Sequence, residues 1–140
     1  MQDFSDQKGP DFISRLRGNI NIPAINTEGG RVKHLIRRAV ALRGLLEKYE
    51  FIHERNGYRM AAMAEPIIYA LLTLDRYHHG IRSMEAVLQM CSPINGKRIE
   101  IAALPSRSQL NMHVDADEFY IRLHRGRARA IAPNPVALPL

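Results

Sequence analysis

The sequence predicts a mainly α-helical fold, a small bundle of about four helices linked by irregular or short extended segments. Three observations predict it. Apolar residues recur at i, i+3, i+4 and i+7 in several separate windows, the signature of helices with one buried face. The apolar content is 46%, with no Trp and 6% aromatics, so Leu, Ile, Ala and Met must fill the core. The 140 residues suffice for one domain with a modest interior.

The organisation expected is a mobile N-terminal arm over residues 1–18, a helical domain over 19–125 and a disordered tail over 126–140. Residues 1–10 are polar and lack periodicity. Phe12, Ile13 and Leu16 supply at most one helical turn, and Asn19 to Ile25 reads as a loop or short extended strip. Gly29-Gly30 stops whatever precedes it.

A first helix is expected from Arg31 to Glu50. Val32, Leu35, Ile36, Ala39, Leu42, Leu46 and Tyr49 form its apolar face, and Arg31, Lys33, Arg37, Arg38 and Arg43 make a candidate basic patch on the rest. Asn56-Gly57 marks a turn. A second helix is expected from Met60 to Leu74, with Pro66 either in its first turn or at a bend. The third helix follows the connector Asp75 to His79. Gly80 admits a sharp entry, and Met84, Val87, Leu88 and Cys91 make one apolar stripe. Lys97 to Ile101 alternates polar and apolar residues, and Leu104 to Leu110 reads as irregular. Asp115 with Glu118 three residues on is the acidic form of a capping box. It opens a fourth helix from Ala116 to about His124, which Gly126 is expected to stop.

Twenty basic and fourteen acidic residues leave a net charge of +6 and a pI near 9.9. That balance favours anionic partners: nucleic acid, nucleotide phosphates or acidic protein surfaces. Cys91 is the single cysteine, so an intrachain disulfide and a cysteine metal cluster are excluded. No membrane-length apolar run and no signal peptide are visible, which makes a cytoplasmic protein the expectation.

The search for chemistry returns little. There is no G-x-x-x-x-G-K-[ST] phosphate cradle, no G-x-S-x-G elbow and no H-E-x-x-H pair. His113, Asp115, Asp117 and Glu118 are the densest set of metal-ligand types, but capping already accounts for two of them, and no metal is expected. No self-contained active site is expected either. Arg82 stands out for another reason. It lies in the first turn of the third helix, where the helix dipole disfavours a cation, so an anionic ligand would explain it. The plain alternative is a solvated surface arginine.

The stretch from about Arg31 to Met90 resembles the small helical lid that follows the nucleotide-binding core of AAA+ ATPases, most closely in the Clp-type unfoldases. Gly80-Ile81-Arg82 stands where those lids carry Gly-Ala-Arg, and Ser83-Met84-Glu85 continues the helix. Ala103-Leu104-Pro105 and Leu110 to Asp115 resemble C-terminal regions of large uncharacterised bacterial P-loop ATPases. The resemblance implies that Gly80 and Arg82 form the sensor 2 element, with Arg82 reaching the nucleotide phosphates. It also implies that ATP or ADP is bound only with a partner core domain, and it leaves a homo-oligomer open. Two departures stand against it. Ile81 replaces the small alanine, and the ATPase core is missing from the chain, as in a domain cut from a larger protein or a stand-alone relative without catalysis. Two further readings compete: a basic helix-turn-helix-like nucleic-acid module, and a ligand-free protein-interaction domain whose basic face meets an acidic partner.

Overall fold

Among the described residues helices dominate and a single hairpin interrupts them. The computed structural model describes residues 24–26, 31–92 and 98–131. Five α-helices occur among them: α1 (Arg31–Lys48), α2 (Glu65–Thr73), α3 (Ile81–Met90), α4 (Arg107–Asn111) and α5 (Ala116–Ile131). Strands β1 (Ile52–Arg55) and β2 (Tyr58–Ala61) form an antiparallel hairpin, and Ile101–Ala103 is a 3-10 turn. The mainly α class is therefore as the sequence predicts. The expected N-terminal arm and the tail beyond Ile131 lie outside the described residues.

α1 is long because its 18 residues contain no proline and a single glycine. It ends in a Schellman arrangement. Glu50 adopts φ 60°, the Phe51 N–H donates to Leu46 O at 2.7 Å and the Glu50 N–H to Glu47 O at 3.2 Å. The face it buries is the expected one only in part. Leu42 and Leu46 are buried as expected, with Leu45, His34 and Arg38 beside them, whereas Ile36, at 61%, and Ala39 are exposed.

The expected second helix is divided in two. Met60 and Ala61 belong to β2, and helix begins only at Glu65, with Pro66 in its first turn. Proline there gives up an N–H that has no helical partner anyway. The Asn56-Gly57 turn joins the strands with both residues at positive φ, 53° and 76°, as a tight primed turn requires. Ile99 then lies beside Met63: its N–H donates to Ala62 O, and its carbonyl accepts from the Ala64 N–H, each at 2.9 Å.

α2 and α5 make the main helix contact, with Ile67, Ala70 and Leu71 meeting Phe119 and Leu123 in the core. Helix α5 does not stop at Gly126; it continues to Ile131. Gly126 is buried against α2. A Cβ there would lie 2.9 Å from Pro66 Cα and 3.1 Å from Tyr69 Cβ. The glycine serves close packing and ends nothing. α4, in a stretch read as irregular, starts with a full capping box between Ser106 and Gln109. Asp115 caps α5 as expected, accepting from the Glu118 N–H at 2.9 Å. Among the described residues no helix is long and apolar enough to cross a membrane.

Candidate functional site: the Gly80 turn and Arg82

The connector between α2 and α3 is held from both sides. Asn26 brackets the backbone of Tyr77, its Oδ1 accepting from the Tyr77 N–H and its Nδ2 donating to the Tyr77 carbonyl, both at 2.8 Å. On the other side the His78 N–H donates to His113 O at 2.9 Å, beside a Tyr77–Val114 bridge. Tyr77 itself is fully buried, and desolvation pushes its hydroxyl far above the ordinary range for a phenol. The path into α3 is therefore fixed before the helix starts.

Gly80 makes the turn at φ 58° and ψ −135°, a conformation that side chains disfavour. It has no side chain to cap the helix. Ser83, wholly buried, reaches back instead, and its Oγ accepts from the His79 N–H at 2.9 Å. Ser83, Met84, Val87 and Leu88 face inward, so Ile81 and Arg82 face out. Arg82 is exposed, and among the described residues it has no hydrogen-bond or ion-pair partner.

One member of the candidate basic patch, Arg38, leaves the surface. Lys33 is exposed, Arg37 is half-buried with Nη1 3.4 Å from Ala24 O, and Arg43 is exposed and pairs with Glu47 at 3.4 Å. Arg31 opens α1, but its side chain lies outside the described residues. Arg38 corrects the expectation outright. It is fully buried, with Nε donating to Ile25 O at 2.8 Å, Nη1 to Leu72 O at 3.0 Å and to Leu74 O, and Nη2 to Asp75 O at 3.2 Å. Its guanidinium lies 5.2 Å from the Tyr77 ring centroid. A side chain so placed cannot reach an external phosphate. Nothing in its sequence neighbours distinguishes it from Arg37.

The acidic and histidine groups are committed elsewhere. Glu118 accepts from the Asp75 N–H and from Arg122, and Asp117 pairs with Arg107. The rings of His78, His79 and His113 stand edge-on, with successive centroids 6.4 and 6.5 Å apart. Among the described residues no three His, Cys, Asp or Glu side chains converge as a metal site. Burial raises the Cys91 thiol to about 11, and the group donates to Val87 O at 3.2 Å, as befits a small core residue.

α3 is also clasped to α1. Glu85 accepts from Lys48 Nζ at 2.7 Å and from the Tyr49 hydroxyl at 2.6 Å, and Gln89 donates to that hydroxyl at 2.6 Å. The ion pair holds the Glu85 carboxyl below its ordinary range and the Lys48 ammonium above its own. No family model matches the chain, and no curated protein or solved structure matches it significantly.

Proposed function

We propose that the chain is the helical lid of an AAA+-type ATPase, and that Arg82 is the cation this lid offers to the phosphates of ATP or ADP. The core domain that binds the nucleotide lies outside this chain, so the chain by itself is not an enzyme in this reading. The single observation that carries it is an exposed guanidinium, without a partner among the described residues, on the first turn of a helix whose entry is held by hydrogen bonds from both sides. A free guanidinium fork pairs with two phosphate oxygens at once, and a fixed backbone limits the entropy lost when it does. Gly80 serves the same end by setting the direction in which α3 begins.

In the ATPase that carries this lid, Arg82→Ala is expected to lower hydrolysis by about a hundredfold, the scale on which a donor to developing phosphate charge acts. The melting temperature should stay within a degree or so, because an exposed residue without partners contributes little to stability. A parallel fall in melting temperature and activity would overturn the reading and make Arg82 structural. A nucleic-acid module is less well supported: α3 carries one cation, Arg82, among its ten residues. Strong, steeply salt-dependent binding of duplex DNA would favour that module instead.

A further inference from the structure

Residues 24–26 grip the connector between α2 and α3 at two points. Ile25 is buried in the core cluster, and its carbonyl accepts from Arg38 Nε at 2.8 Å. The same guanidinium donates to the carbonyls of Leu72, Leu74 and Asp75, where α2 gives way to the connector. Asn26, half-buried, supplies the second point through both of its bonds to the Tyr77 backbone. Ala24 is exposed, and its carbonyl accepts from Arg37 Nη1 at 3.4 Å. The Tyr77 carbonyl carries the contact onward. It accepts from Asn26 Nδ2 at 2.8 Å and from the Gly80 N–H at 3.4 Å, so Asn26 and the Gly80 turn hang on one oxygen.

This grip consists of side-chain hydrogen bonds and one apolar side chain, and residues 24–26 belong to no helix or strand. A segment attached in that way opens at a lower free energy than the core beneath it. Both anchors keep other partners when it lifts. Arg38 retains the carbonyls of Leu72, Leu74 and Asp75 and its place 5.2 Å from the Tyr77 ring centroid. Tyr77 retains the bond from its hydroxyl to Leu71 O, and the next residue the bond from the His78 N–H to His113 O. The groups released are the Arg38 Nε–H and the Tyr77 N–H and carbonyl. They lie on the side that opens, where water takes over as partner.

We infer that residues 24–26 are a latch on the entry to α3, one that opens as a unit while the helical core stays folded. Closed, it fixes the Tyr77 carbonyl on which the Gly80 turn hangs. Open, it leaves the connector held from the His113 side alone, and the direction of the first turn of α3, with Arg82 on it, is no longer set. The inference extends the lid reading to the control of Arg82 and rests on that reading for what the latch serves. The opening itself belongs to this chain and needs no nucleotide.

The test is amide exchange of the full chain, followed residue by residue by NMR at neutral pH, with urea added below the unfolding transition. The Tyr77 N–H, whose partner is Asn26 Oδ1, is expected to exchange faster than the His78 and Phe119 N–H groups and with a shallower urea dependence. Ile99→Val, at a buried position beside Met63, lowers global stability; it should speed exchange at Phe119 about fivefold and leave Tyr77 unchanged. Asn26→Ala should speed Tyr77 at least about tenfold. Ile25→Ala should also speed it with Asn26 in place, which the fraying of one side chain would not do. Exchange of Tyr77 in step with Phe119, in rate and in urea slope, would overturn the latch. So would a Tyr77 rate that rises with Ile99→Val or ignores Ile25→Ala. These outcomes bear on the latch alone, whereas hydrolysis by Arg82→Ala decides the lid reading.

Discussion

Arg38 acts as a C-cap delivered from another helix. α2 ends at Thr73 with carbonyls pointing along its axis, the negative end of its dipole. The guanidinium of Arg38 satisfies those of Leu72, Leu74 and Asp75 and, through Nε, that of Ile25. Desolvation lowers its proton affinity most, and Tyr77, Glu118 and Asp75 partly offset that. An arginine stays charged even so. Arg38→Leu is therefore expected to destabilise the fold by about 3 kcal/mol or more, since it strands several carbonyls in the interior. Arg38→Lys should recover only part of the loss, because an ammonium lacks the planar fork that spans four acceptors. Urea unfolding at neutral pH measures both, and a Leu variant within about 1 kcal/mol of wild type would refute the capping role. Residue type alone gives no warning of this: arginine is almost never fully buried unless its donors are matched, and matching carbonyls come from distant chain.

At the scale of elements, glycine 126 shows how a local rule yields to packing. A glycine after a helical stretch ordinarily reads as a stop. Here it lets α5 pass close to the first turn of α2, where Pro66 Cα and O would sit 2.9 and 3.2 Å from any Cβ. Backbone atoms cannot give way as a flexible side chain would. Gly126→Val is expected to lower stability by about 2 kcal/mol, despite valine's better helix propensity, and a thermal melt showing no loss would refute the close approach. Other elements were legible where the signal is local. α3 is readable from its apolar spacing, a turn from Asn56-Gly57 and the start of α5 from Asp115, whereas Pro66 leaves two readings of where α2 begins, a first turn or a bend. The strands were not, because most of their residues are exposed and the alternation that marks a half-buried strand is absent. α4 was missed although Ser106 and Gln109 have capping-box spacing, since five residues show no helical period. The buried side of α1 is only partly legible, because an apolar count ranks Ile36 and Ala39 above Arg38.

For the molecule as a whole, His113 supplies one route by which pH reaches stability. Desolvation first, then the neighbouring His79 and His78, hold its imidazole below the ordinary 6.5, and among the described residues its buried Nδ1 has no hydrogen-bond partner. The fold thus prefers the neutral ring, while the unfolded chain takes up its proton at a higher pH. Stability is full above 6.5, declines as pH falls through it, and the loss levels off once the folded form is protonated as well. The urea midpoint should drop as pH falls through 6.5, and His113→Gln should flatten that drop; an unchanged slope would show that other groups carry it. The candidate site was legible only in part. Gly80 and Arg82 were identified from local sequence, whereas Asn26 and His113, which hold the connector in place, come from distant segments that no local pattern links.

The clasp of Lys48 and Tyr49 on Glu85 and Gln89 adds a mechanical consequence. It ties the far end of α1 to the middle of α3 through side chains alone, Lys48 and Tyr49 on one side and Glu85 and Gln89 on the other. Pulling those two helices apart must break the ion pair and both hydroxyl contacts together.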